Sequence, residues 1–164
     1  MPKAKYQFTD FLNIVPNDQK PFVNLVQEEL LLDKYKPKLT ITKSTGFQLA
    51  YHQPQTKTTA GIILIFFTRN ENLMIRIYGL NHKKYLDLLE NLPEHLESQT
   101  NRARDCVKFA DPDKCWKGCK GYDFTVRGIV YQKCAVDCFE YKVEAQSETF
   151  LLEQIKAEVK GRIW

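Results

Sequence analysis

Apolar residues near the start of the chain recur at helical spacing. Phe22, Leu25, Val26 and Leu30 share one face, which predicts a helix from the Pro16-Asn17-Asp18-Gln19-Lys20-Pro21 stretch to about Tyr35. Asp18 is the expected N-cap, and proline is tolerated in a first helical turn. A further turn of helix is expected over 10–15. From Lys38 the period changes to two: Leu39 and Ile41 alternate with Thr40 and Thr42, and Phe47, Leu49 and Tyr51 follow after Gly46. A turn at Gln53-Pro54-Gln55-Thr56 leads into an Ile- and Phe-rich strand over 58–68. Arg69-Asn70-Glu71-Asn72 turns the chain into another strand over 73–78. Strands joined by such short turns form an antiparallel meander.

The pattern then returns to helix. Asn81 is the expected cap of a segment in which Tyr85, Leu88, Leu89 and Leu92 share a face, and Pro93 interrupts it. A weaker helical pattern continues to about Ala110. Tyr122–Val126 and Ile129–Lys133 flank Arg127-Gly128, which predicts a tight hairpin. Phe139, Tyr141 and Val143 alternate as one more strand. Ser147 is placed to cap a last helix with Leu151, Ile155 and Val159 inward, expected to lie against the main sheet. The expected fold class is α+β, as one domain over 1–164. It has an antiparallel sheet of about four strands flanked by helices, a cysteine-rich hairpin module over 106–140 and a C-terminal helix.

That module carries the one pronounced chemical signal. All five cysteines, Cys106, Cys115, Cys119, Cys134 and Cys138, fall within a fifth of the chain. The last four read C-x3-C-x14-C-x3-C. Two pairs separated by a hairpin suit a tetrahedral four-thiolate site, each pair supplying two ligands at Zn–S distances of about 2.3 Å. Structural Zn2+ on Cys115, Cys119, Cys134 and Cys138 is the leading expectation. An iron–sulfur cluster, thiol redox chemistry and packing as small reduced side chains stay open as alternatives. Cys106, placed by the pattern in the weak helix, is an extra ligand, a reactive thiol or a packing residue. Lys114, Lys117, Lys120 and Lys133 stand beside the cysteines and would offset thiolate charge. The segment has few aliphatic residues, so a metal would supply much of its folding free energy.

The run Asp111-Pro112-Asp113-Lys114-Cys115, Cys119, Gly121-Tyr122, Phe124, Tyr131-Gln132-Lys133-Cys134 and Cys138-Phe139 resembles a motif in a group of small Gram-positive bacterial proteins with no established activity. Looser likeness extends over Ile75-Arg76-Ile77-Tyr78-Gly79 and the leucines of the following helix. The resemblance implies a shared cysteine site and a bacterial, cytoplasmic setting. It implies no mechanism.

Composition narrows the picture further. The chain has 164 residues with 43% apolar content, which excludes a disordered or low-complexity chain. The apolar run over 62–67 is far short of the ~20 residues that span a bilayer, and the first residues carry no signal-peptide core. A cytoplasmic protein with no membrane partner is expected. A net charge of +4 permits an acidic partner without demanding one. No phosphate loop or H-E-x-x-H is present. His52, His82 and His95 read as surface or capping side chains. Tyr51, Arg76 and Tyr78, with His52, are candidates to line a pocket or a stacking surface, the alternative being a half-exposed sheet face. Trp116 is a candidate recognition aromatic or a cover over the thiolates.

The expected function is that of a zinc-stabilised cytosolic binding or regulatory protein, its metal structural rather than catalytic. The alternatives are a nucleic-acid-binding protein using the basic module, a thiol redox sensor, and a small-molecule-binding or enzymatic domain. The sequence leaves the partner open, with a protein and a nucleic acid as the candidates, and an enzyme is the less favoured reading.

Overall fold

The structure is a computed structural model that describes residues 5–54, 61–115, 119 and 121–162. The chain is α+β. A five-stranded antiparallel sheet runs in the order β1-β2-β3-β4-β7, formed by β1 (Lys36–Thr42), β2 (Gly46–His52), β3 (Ile62–Arg69), β4 (Asn72–Ile77) and β7 (Glu140–Lys142). A second sheet has two strands, β5 (Tyr122–Val126) and β6 (Ile129–Lys133). By packing, the residues divide into two compact units, 1–75 with 142–145 and 76–141 with 146–164.

The first unit holds the meander. β1 and β2 pair from Lys36↔His52 to Thr42↔Gly46. β3 lies between β2 and β4, and Ile62–Phe67 are all buried, as expected of a strand covered on both faces. Asn70 and Glu71 both take positive φ (50° and 64°), the backbone of a two-residue hairpin turn where the sequence places one. Helix α1 (Phe8–Leu12) is followed by α2 (Lys20–Leu32), which buries Phe22, Val23, Val26 and Leu30. Leu25, expected inward, is 41% exposed. Asp18 is not the cap: Gln19 takes that position, without a side-chain bond. The Phe66 ring meets Phe22 edge-on at 6.2 Å and Phe11 at 6.4 Å, and all three are buried. The expected start of β3 at 58 and the second half of the 53–56 turn lie outside the described residues.

The second unit departs more from expectation. The predicted helix over 81–92 is a 3-10 turn (His82–Lys84) followed by α3 (Leu86–Glu90). Asn81 stands at the N-cap position of the 3-10 turn, without a side-chain capping bond. Its backbone N–H and its side-chain amide both donate to the Glu158 carboxylate, from 3.1 and 3.3 Å. After Pro93 comes α4 (Glu94–Arg102). The last helix, α5 (Glu148–Gly161), turns Phe150, Leu151 and Ile155 inward, together with the polar Gln154 and Glu158. Glu158 is wholly buried. It accepts from the Tyr85 hydroxyl at 2.9 Å and from Arg162 Nε at 3.0 Å, while Arg162 Nη2 donates to the Tyr78 carbonyl at 2.9 Å. A buried carboxylate is tolerable only with such partners. Val159, the third member of the expected apolar stripe, is only half-buried.

Removing the central ring of the first unit creates a cavity. Phe66→Ala is expected to cost about 3–5 kcal/mol in urea unfolding, whereas Leu32→Ala, at a side chain 79% exposed, is expected to leave the midpoint nearly unchanged.

Candidate functional site

The hairpin matches its predicted bounds to the residue. Tyr122 pairs with Lys133, Phe124 with Tyr131 and Val126 with Ile129. Arg127 and Gly128 both have positive φ (48° and 80°), which gives the two-residue turn a twist matching its strands. A non-glycine residue in this conformation is strained, and Arg127 is held there by three partners. Its N–H donates to Glu90 Oε1 at 2.8 Å, its Nη1 donates to the Leu92 carbonyl at 3.1 Å, and its guanidinium pairs with Glu97.

A third segment joins β6. Cys106 N–H donates to the Gln132 carbonyl at 2.9 Å and Cys134 N–H to the Arg104 carbonyl at 2.8 Å, with Asp105 bridged to Lys133. Cys106 is therefore a strand-like residue on the edge of β6, not part of a helix. Period-3.6 reading failed there because the pairing partner lies almost thirty residues away. A 3-10 turn (Val107–Phe109) follows.

One face of the hairpin is aromatic. Tyr122 stacks on Phe139 at 5.3 Å and Phe124 on Tyr131 at 5.5 Å, and Phe124 also meets Phe139 at 5.6 Å. The segment is poor in aliphatic residues, but these rings give it apolar contact of its own. Lys133 is buried on that face. Its ammonium donates to the Asn101 and Ala103 carbonyls, both at 3.0 Å, and to Asp105 at 2.8 Å. It thus closes the C-terminal end of α4, where carbonyls lack helical partners and a cation is favoured. That commitment differs from the expected role of a cation simply flanking the thiols.

All five cysteines are free thiols. Cys134 and Cys138 lie on one turn closed by Cys138 N–H to the Cys134 carbonyl at 2.9 Å. Cys138 is wholly buried. Burial pushes its thiol well up, Lys133 opposes that, and the negative charges of Cys134 and Asp137 add to it. Cys134 is half-buried, with Arg104 Nη2 4.0 Å from its sulfur. The same guanidinium pairs with Asp137, and that hydrogen bond is the main reason the Asp137 carboxyl is held below its ordinary range. Cys106 and Cys119 are both buried. Gly121 packs against Cys106 and takes φ +64°, and a Cβ added there would stand 2.7 Å from Cys106 Sγ and 2.9 Å from the Phe109 ring, so only glycine fits. Lys108 donates its ammonium to the Cys119 carbonyl. Cys115 is half-buried and follows a 3-10 turn (Pro112–Lys114) whose start is capped by Asp111, accepting from Asp113 N–H at 3.1 Å.

The structure places Cys106 on the edge of β6 and Cys134 and Cys138 on the turn that follows that strand. Among the described residues, no group of three or more His, Cys, Asp or Glu side chains is arranged to hold a metal ion. Of the two C-x3-C pairs, Cys134–Cys138 is the one whose intervening residues are all described. Trp116, with Lys117 and Lys120, lies outside the described residues.

The other candidates are placed as follows. Tyr51 is wholly buried in the first unit and its hydroxyl donates to Gln27, so it offers no open surface. Arg76 belongs to the second unit, where Nε donates to Glu140 at 2.9 Å. Tyr78 is half-buried, and so is His52 at the end of β2. His82 is not a surface histidine: it is 5% exposed. The site residues that sequence reasoning missed are Arg104 and Asp137, which meet the cysteines only through the β6 pairing and leave no spacing signal.

Comparison with protein-family models, with curated proteins and with solved structures finds no match. No helix among the described residues is long and apolar enough to cross a membrane.

Replacing the buried lysine strands two helix-end carbonyls. Lys133→Met is expected to destabilise the protein by about 1–3 kcal/mol in urea unfolding, while Lys114→Met, at an exposed position, is expected to have little effect.

Proposed function

We propose that this chain is a binding or regulatory protein whose cysteine module is held by a structural zinc ion, with Cys115, Cys119, Cys134 and Cys138 as ligands and Cys106 as the spare thiol. The observation that carries the reading is the Cys134–Cys138 turn, which holds two free thiols at the two ends of one hydrogen-bonded turn after β6. A knuckle of this kind is the usual donor of half a four-thiolate site. The C-x3-C spacing repeats at Cys115 and Cys119. Four thiolates on one divalent ion leave no position for activated water, so the metal's chemistry here is to tie loops together. Arg104 supplies a positive charge beside Cys134, and Asp137 orients that guanidinium.

A second reading, a thiol redox sensor, is favoured by the half-buried position of Cys134 one turn from Cys138. In that case the two thiols close to a disulfide while a hydroperoxide is reduced to an alcohol and water.

Metal content by elemental mass spectrometry, with a thiol count on the same tag-free sample, separates the two. One zinc per chain and a single thiol outside the metal site are expected. Cys119→Ser, or chelator treatment, is expected to remove the zinc and open residues 111–138 to protease while β1–β4 stay protected. No metal with unchanged protease resistance would overturn the zinc reading, and no metal with fewer than five free thiols would move the case to redox chemistry.

A further inference from the structure

The inward face of α5 carries two polar side chains one turn apart, Gln154 and Glu158, and both are wholly buried. Glu158 is engaged by Asn81, Tyr85 and Arg162. Gln154 is not so matched. Neither its Nε2 nor its Oε1 has a hydrogen-bond partner among the described residues, so the result is the same whichever way the amide is turned. The hydroxyl of Tyr122, at the start of β5, is also buried without a partner among the described residues. Both groups border the Tyr85 hydroxyl. Burial pushes the pKa of that phenol up and Glu158 adds to the rise. Gln154 lies near enough to oppose it, though outside hydrogen-bond geometry, and Tyr122 lies near enough to add to it. The surrounding wall is close-packed. The Tyr122 ring stacks on Phe139, and a Cβ added at Gly79 would run into the Phe139 ring and stand 3.1 Å from Tyr85 Oη.

We propose that Gln154 and Tyr122 hold one internal water molecule, which joins α5 to β5. Leaving three buried polar atoms unmet is costly on the scale of a domain's whole stability. The donor and acceptor inventory selects the guest. Gln154 Nε2 and the Tyr122 hydroxyl offer protons, while Gln154 Oε1 and the lone pairs of Tyr85 Oη accept them. A small guest that both takes and gives protons is water, and buried waters make about three such bonds. A metal cation would face the N–H and O–H donors. A simple anion has no proton to give Oε1, and an apolar guest satisfies neither side. Through the water, the Tyr122 hydroxyl joins a polar chain that runs from Gln154 past Tyr85 to Glu158 and Arg162, and Arg162 ends on the Tyr78 carbonyl. The cysteine hairpin is thereby tied to the C-terminal helix. An apolar residue at 154 would fill the same space and give no such link.

The test is 17O magnetic relaxation dispersion of solvent water on the full chain, which counts waters held inside a protein and is blind to exchanging hydroxyl protons. Gln154→Leu replaces the amide by an apolar side chain of similar size. The dispersion amplitude is expected to fall by that of one water, with the circular dichroism unchanged. Gln132→Leu, at an exposed position, is expected to leave the amplitude as it is. In the wild-type chain, the Gln154 side-chain amide is expected to show a nuclear Overhauser effect to water of the sign that marks long residence. This second readout needs no variant, so it decides the matter if Gln154→Leu does not fold. An unchanged dispersion in folded Gln154→Leu, or no Overhauser effect to water at the wild-type Gln154 amide, would overturn the proposal. Neither outcome depends on whether the cysteines hold zinc.

Discussion

Two backbone hydrogen bonds, Cys106 N–H to Gln132 O and Cys134 N–H to Arg104 O, carry the geometry of the cysteine module. They lay the segment after α4 along β6 and so convert a two-stranded hairpin, marginal alone in water, into a three-stranded arrangement. Everything chemical in the module is positioned from that seam. Arg104 reaches Cys134 and Asp137 because its carbonyl is bonded to the amide of Cys134. Cys106 packs against Gly121 because the seam ends there. Lys133 closes α4 because its backbone is paired opposite Asp105.

The second unit places polar groups where a helix or strand pattern would put apolar ones. Glu158, Gln154, Arg162, Lys133 and His82 are all at most 6% exposed. Each charged member has specific partners, and this satisfies the condition for burying charge at all. The arrangement gives little stability relative to an apolar core of the same shape, because desolvation offsets most of the attraction. It does tie particular backbone atoms together: Tyr78 O to Arg162, Asn81 N to Glu158, Asn101 O to Lys133.

This division explains what the sequence made legible. In the first unit β4 was readable because its burial follows period two, and β3 because a short apolar run bounded by turn residues suits a strand covered on both faces. The hairpin was readable from Arg127-Gly128, whose backbone demands are local. The segment over 81–92 reads as one helix but is a 3-10 turn and a short α-helix; Asn81 stands at the start as expected, with its side chain on Glu158, seventy-seven residues on. The inward face of α5 was assigned to Val159 rather than Glu158 because polarity was taken to mean exposure. In the cysteine module the spacing showed which residues belong together in the chain. It could not show that Cys106 lies on an edge strand, or that an arginine and an aspartate complete the surroundings of Cys134.

β1 closes one side of the main sheet, and its first three residues, Lys36, Pro37 and Lys38, are all exposed. Proline has no N–H to offer a further strand, and two flanking lysines repel a second copy of the same edge. A long open strand is a common starting point for amyloid-like stacking. Here the end of the meander is a poor template for it, and three residues outside the core make it so.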